Sequence, residues 1–355
     1  MAQTLLLQDG FGAANAVVLA SVFGLGYLAN HLFARSRRRV ISVPQQEAAA
    51  ASSAIQQYGY ARKHLEGVSS KESQNLPGCP YEYILQIYGR HHFAPFVKMF
   101  KPSLKTEDPD KYALILDIMD AVHFCLILVD DICDDSFKRK NKPTAHLLYG
   151  SGETANRAYF VLTQVINRSM REQPVLGVEL LKALEQILEG QDLSLVWRRD
   201  GLKAFNYHSE DRIRAYKRMA GLKTGTLFVL LGRLVNDGGD QLDDLLSRFG
   251  WYAQLQNDCK NIYSNEYSLN KGAVAEDLRN GELSYPVVVA LNDKRASEQM
   301  KRAFENPTSL DIEKALTGLE STSVKKACLA ALKEAGEGLD KLVAVWGRRE
   351  QISAA

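Results

Sequence analysis

Leu128-Val129-Asp130-Asp131-Ile132-Cys133-Asp134-Asp135 closes a long apolar run, and the rest of the chain is best read outward from it. Upstream, Phe124–Val129 is uninterrupted hydrophobic sequence, and across Tyr112–Val129 apolar residues recur at three and four, the period of a helix with a buried face. On such a helix Asp130 and Asp134 stack one turn apart on one side, with Asp131 beside them. Like charges at that spacing repel, so a bare helix gains nothing from them. The apolar run drives these aspartates toward a core rather than into water. Their arrangement makes sense when hard divalent cations sit among them, because Mg2+ is commonly held by one or two carboxylates plus phosphate oxygens of a substrate. The plain alternative is a solvated acidic helix end.

The same helical period returns in Val175–Val196, Ile213–Val235 and Leu242–Ile262. Strand-like alternation is absent, and turn signals at 141–143, 237–239 and 280–281 cut the pattern into helices of about 20 residues. Several helices that long predict an all-α fold, a large bundle with its site between the helices. One catalytic domain is expected over 76–350. Ahead of it, 34–75 reads as a linker, with an Ala/Ser/Gln run at Gln45–Ala54.

At 355 residues, 46% hydrophobic and 24% charged, the chain can bury a real core. A net charge of +2, without zinc-finger spacing or an arginine-rich arm, gives no reason to expect nucleic acid as a partner. The five cysteines are scattered and odd in number, which fits a reduced compartment without a disulfide framework. Residues 11–33 carry no charge, and Arg35, Arg37, Arg38 and Arg39 follow directly. A spanning helix needs about 20 apolar residues, and positive flanks prefer the cytosolic side. This predicts a single N-terminal membrane pass, in the endoplasmic reticulum for instance, with the catalytic part in the cytosol. Asn15, Asn30 and His31 weaken insertion, and the bland reading is a loose apolar tail.

With the aspartates in place, an ordered series of further motifs resembles the trans-isoprenyl diphosphate synthases, most closely geranylgeranyl diphosphate synthases. The likeness runs from Pro80-Tyr81-Glu82-Tyr83 and Gly89-Arg90, through His123, seven residues before Asp130, to Arg139-Lys140 and Pro143-Thr144-Ala145-His146. It continues through Gly190-Gln191, Trp197-Arg198, Lys223-Thr224-Gly225, Gln254, Asn257-Asp258-Cys259-Lys260-Asn261, Glu276-Asp277-Leu278 and Ser284-Tyr285-Pro286. The resemblance implies the class I isoprenoid synthase bundle, usually a homodimer, acting on an isoprenoid diphosphate donor and a small-molecule acceptor. Asp130, Asp131 and Asp134 would hold Mg2+ on the donor diphosphate. Asp258, Asn257 and Asn261 are the candidates on the opposite side, with Asp258 expected to carry the charge there. Arg139, Lys223 and Gln254 would bind the diphosphate; Arg90, Phe93, His123 and Lys140 would face the acceptor. Small Cys125, five residues before Asp130, leaves room for a long prenyl chain such as C20.

Departures from the family pattern cluster on the acceptor side. The expected Gly-Lys-x-x-Arg element is Gly89-Arg90-His91-His92-Phe93, so its second cation has become an aromatic ring. Lys140 replaces an arginine, Gln256 another, Asn257 an aspartate, and Glu282 a lysine. A less charged, aromatic acceptor fits this loss, with Phe93 offering a flat face to it. The pattern resembles the fungal indole-diterpene prenyltransferases, which join geranylgeranyl diphosphate to indole-3-glycerol phosphate. Rival readings are a chain-elongating synthase using isopentenyl diphosphate, a class I terpene cyclase and a non-catalytic partner subunit. For the cyclase, Asn265 occupies the position where a glutamate is required.

Overall fold

The computed structural model of the chain describes residues 76–206, 211–264, 275–305 and 309–352. The apolar stretch 11–33, the linker 34–75 and Asn265 lie outside these described residues.

The fold is helical, as the periodicity predicts, and α4 (Pro109–Cys133) organises it. Before it come α1 (Pro80–Tyr88), α2 (Ala94–Phe100) and the single turn α3 (Leu104–Glu107). Pro109 pre-sets the first helical dihedral of α4, and the Asp108 side chain accepts from Lys111 N at 3.0 Å, capping an otherwise orphaned donor. At the other end Asp135 turns into the left-handed region (φ 50°) and stops the helix. By length and composition α4 could span a membrane, with a mean hydropathy of 2.0 over its best window, but 61% of that window is buried within the fold. It is the central core helix.

A tight hairpin follows, β1 (Lys138–Arg139) against β2 (Lys142–Pro143), antiparallel. Its turn residues Lys140 and Asn141 both have positive φ, 49° and 62°, the backbone that two-residue hairpin turns require. Two-residue strands leave no alternation to read, which is why the sequence pattern showed none. The hairpin folds Arg139 back onto the end of α4.

Next come α5 (Ala145–Tyr149), the long pair α6 (Ser151–Glu172) and α7 (Pro174–Asn206), then α8 (Arg212–Ala220). A π-turn at Gly221–Gly225 joins α8 to α9 (Thr226–Val235), and α10 (Asp243–Tyr263) packs beside them. The shorter α11 (Glu276–Arg279), α12 (Tyr285–Asn292), α13 (Ser297–Glu305), α14 (Ser309–Leu319), α15 (Thr322–Gly336) and α16 (Asp340–Ile352) complete the bundle.

Three apolar clusters hold these helices. One gathers Phe93, Phe96, Phe228 and Phe249 with the middle of α4. A second joins α8, α10, α12 and α15 through Tyr216, Leu255, Val288 and Cys328. The third packs Tyr83 and Ile84 of α1 against Phe124, Cys125 and Leu128. Cys125 is fully buried there.

Candidate active site

The end of α4 presents three aspartates with three different surroundings. Asp131 is 1% exposed, and its Oδ1 accepts from Arg139 Nε at 3.1 Å and again from Nη2. Asp130 Oδ1 accepts from Gln191 Nε2 at 3.2 Å and lies 3.6 Å from Lys223 Nζ. Asp134 Oδ1 accepts from Arg198 Nη1 at 3.0 Å. The same arginine also donates to the carbonyl of Cys133 at 2.7 Å, clamping the helix end.

Backbone shape places Lys223 there. It lies within the π-turn, a local insertion often found at functional sites. A Cβ on Gly190 would come within 3.0 Å of Lys223 N and Cγ and 2.8 Å of Leu222 Cβ, so only glycine lets α7 approach this turn so closely. On the other side a Cβ at Gly250 would meet Gly225 Cα at 2.5 Å. Two glycines thus hold the π-turn between α7 and α10.

The opposite bank belongs to α10 and the turn after α11. Asp258 is 2% exposed and fully engaged. Its Oδ2 accepts from Tyr216 OH and from Tyr285 N at 2.9 Å, and its Oδ1 from Gln254 Nε2 at 2.9 Å. Thr224 Oγ1 in turn donates to Gln254 Oε1 at 2.5 Å, tying the π-turn to this network. Asn257 is the exposed neighbour. The expectation that Asp258 would be the charged metal ligand is therefore corrected: one helical step turns it into the protein, where it organises α8, α10 and α12. Asn261 is also buried, its Nδ2 donating to Asp277 Oδ1 at 3.0 Å.

Burial is the largest influence on the carboxyls of this site. Burial, then repulsion from Asp130 and Glu282, pushes the Asp134 carboxyl up to about 9, against the pull of Lys223 and Arg198. Glu282 is raised to about 8 by burial and by Asp277, with Lys223 opposing. Asp258 is raised to about 6 by burial, although its three donors and Lys223 favour the anion. Burial works against the Lys223 ammonium, but Asp130, Glu282 and Asp134 outweigh it and hold the lysine firmly charged.

Divalent cations fit this donor set. Asp131 Oδ2 and Asn261 Oδ1 are buried without a hydrogen-bond partner, which is costly unless a ligand answers them. Among the described residues no three His, Cys, Asp or Glu side chains converge into a complete metal cage. A divalent cation there would complete its shell with water and phosphate oxygens. Asp130, Asp131 and Asp134 are the residues that would hold it.

The acceptor-side residues are only partly brought together. His123, two turns before Asp130 on α4, stacks on His92 (ring centroids 5.8 Å, 13°) and meets the edge of Tyr88 at 6.3 Å. Lys140 Nζ lies 4.1 Å above the Tyr88 ring. Buried Asp120 accepts from His91 N at 2.6 Å and His92 N at 3.1 Å, fixing the loop that carries these rings. Arg90 is exposed at the edge of that loop, beside a surface groove formed with Glu82, Leu85 and Gln86. Phe93 is a correction: it is 0% exposed, packed against Phe96, Phe228 and His123 in the main core, and has no face to offer a ligand.

Sequence reasoning quoted Gln191 and Arg198 as motif members without giving them a role, and both hold the aspartates. It missed Tyr216 and Asn280, whose Nδ2 donates to Asp134 O at 2.6 Å; a lone Tyr or Asn in a helical pattern carries no signal for such a contact.

Comparison with known proteins agrees with this architecture. The polyprenyl synthetase family model matches residues 77–318. Prenyltransferase terC of Tolypocladium album is 62% identical over 348 residues, covering 98% of both chains. Prenyltransferase ltmC of Epichloe festucae var. lolii is 66% identical over 295 residues, covering 83% of this chain and 85% of its own. A polyprenyl synthase from Caulobacter crescentus, solved with calcium and isoprenyl diphosphate, shares the fold at a TM-score of 0.60 and 21% identity, over 78% of this chain and 85% of that one. A match across more than half the chain, joined to the aspartate-lined cleft, establishes that this protein belongs to the polyprenyl synthetase family of prenyl-transferring enzymes.

Proposed function

We propose that this prenyltransferase moves a geranylgeranyl group from geranylgeranyl diphosphate to C3 of indole-3-glycerol phosphate, with Mg2+ as its cofactor. The observation that carries the acceptor assignment is the ring-lined loop beside His123. Tyr88 and His92 surround that histidine, and Lys140 is the cation next to them. Phe93, where a synthase is expected to keep an arginine, is in the core. Such a bank suits a flat, singly phosphorylated acceptor better than a second diphosphate. Relatives named prenyltransferases at 62–66% identity support prenyl transfer as the reaction.

In this mechanism Lys223 and Arg139 take the oxygens of the donor diphosphate. The C1–O bond breaks with its electron pair leaving on the diphosphate, and the allylic cation is attacked by indole C3. A C–C bond forms at the carbon that already bears the glycerol phosphate chain. The adjacent side-chain hydroxyl then loses its proton and becomes an aldehyde as the bond from C3 to that chain breaks, its electron pair restoring the indole ring. Glyceraldehyde 3-phosphate leaves and 3-geranylgeranylindole remains. When bound, Mg2+ neutralises charge on the departing diphosphate. The chain's own residues orient it: Gln191 and Lys223 fix Asp130, Arg198 fixes Asp134, and Arg139 fixes Asp131.

The test supplies the purified protein with geranylgeranyl diphosphate and either indole-3-glycerol phosphate or isopentenyl diphosphate. The expected product is 3-geranylgeranylindole. A preference for isopentenyl diphosphate, giving a longer prenyl diphosphate, would replace this reading with chain elongation.

We further propose a homodimer built on the outer face of α6 and α7. Tyr159, Phe160 and Met170 on one helix, and Val175, Val178, Leu181 and Leu188 on the other, are between 40% and 59% exposed. These are large apolar side chains left exposed on two helices that pack against each other. Residues 11–33 are proposed as an anchor on their composition alone, leaving the catalytic part in the cytosol.

A further inference from the structure

The last carbonyls of α4 find their partners in two ways. Asp130 O accepts from Asp134 N at 2.8 Å, Asp131 O from Ser136 N at 3.0 Å and Ile132 O from Asp135 N at 3.4 Å, all within the chain that follows directly. The next two, beyond the reach of the helix's own ladder, are answered by side chains from distant elements. Arg198 of α7 donates to Cys133 O at 2.7 Å, and Asn280 donates through Nδ2 to Asp134 O at 2.6 Å.

Asn280 comes from the opposite bank. It caps the short helix α11, and Asp277 of that helix accepts at Oδ1 from Asn261 Nδ2 of α10 at 3.0 Å. Ala275 N donates to Asn261 O at 3.3 Å, and Glu282 N donates to Asp277 O at 2.7 Å. The turn is therefore laced to α10 on one side and to α4 on the other. Gly281 (φ 72°) makes the bend, and a Cβ there would lie 4.0 Å from Arg198 Cγ. The two side chains that hold the end of α4 thus arrive as neighbours, and Arg198 also donates to Asp134 Oδ1 at 3.0 Å.

We propose that Asn280 is a positioning residue whose amide bridges the two banks and sets where Asp134 stands at the cleft. A cap drawn from the same side would serve the helix alone. A cap drawn from the facing bank also fixes the gap across which a metal–diphosphate complex is held. Asn280 acts through Asp134, and the inference rests on reading the cleft as a diphosphate site.

The experiment measures Mn2+ binding to the full chain by electron paramagnetic resonance, with inorganic diphosphate present, beside the metal-free melting temperature. Asn280→Leu keeps most of the bulk and loses the N–H; it is expected to weaken Mn2+ binding by about tenfold. Asn280→Gln keeps an amide donor and is expected to recover most of that loss. Should leucine not be accommodated, Asn280→Ala removes the donor in its place, with the same expected loss. Wild-type Mn2+ affinity in a folded variant without the donor overturns the proposal, and a fall in melting temperature alone would make Asn280 a helix cap only. Equal losses in Asn280→Leu and Asn280→Gln overturn it too, because the donated hydrogen bond would then not be what matters. If the wild type itself binds no Mn2+ with diphosphate, the reading of the cleft fails and takes this inference with it.

Discussion

Asp258 and Asn257 are adjacent on α10, one buried and one exposed, and a helix explains why: successive side chains step about 100° around the axis. The sequence motif reveals the residue types but not the rotation of α10, which is set by packing of Leu255, Cys259 and Ile262 in the second cluster. Asp258→Ala should strand the Tyr216 hydroxyl and Tyr285 N–H. Each buried donor left unmade costs about 1–3 kcal/mol, so its melting temperature should fall by several degrees, with activity lost through misplacement of Gln254. Asn257→Ala should melt like the wild type and lose activity only in part. Differential scanning calorimetry with steady-state assays separates the two; equal melting temperatures would show Asp258 to be a ligand after all. By contrast, the gathering of Asp130, Asp131 and Asp134 at the end of one helix was legible, because the apolar run before them fixes where that helix lies. Phe93 was misread because an aromatic residue in a loop looks the same in sequence whether it faces ligand or core.

Helix order was likewise legible from apolar spacing, whereas lengths were not: the expected 20 residues became anything from 4 to 33. The β1–β2 hairpin and the π-turn were not, since each is too short to leave a period. Their positions depend on close approach between elements, which glycines permit and sequence patterns do not display. Gly190→Ala is expected to push Lys223 away from Asp130, lowering kcat on the order of tenfold or more with a modest loss of stability. Gly250→Ala meets the Gly225 backbone rather than a side chain that can move, and overpacking of that kind costs about 1–3 kcal/mol. Kinetics and thermal melts of both variants check this. A Gly190→Ala enzyme with normal kcat would mean that Lys223 needs no such fit.

For the molecule as a whole, the exposed apolar face of α6 and α7 leads to a prediction about assembly. Leu181→Asp with Val178→Asp should convert a dimer into a monomer in light scattering at micromolar concentration, with the helical circular dichroism unchanged. A wild type that is already monomeric would remove the dimer proposal. The proposed anchor is tested separately: the full chain should resist carbonate extraction from membranes, and a chain lacking residues 1–40 should not. Full-length protein released by carbonate would show that 11–33 packs elsewhere.

The π-turn at Gly221–Gly225 also has a geometric consequence. It inserts roughly one residue relative to a regular helix, so α8 and α9 are out of phase by about 100°. That offset lets Tyr216 face Asp258 while Phe228 and Leu231 face the main core. Losing one residue here would regularise the turn but rotate every side chain from Thr226 to Val235 off its present azimuth. The lysine in the cleft and the phenylalanine in the core are therefore coupled like two gears on one shaft: neither can be re-phased without turning the other.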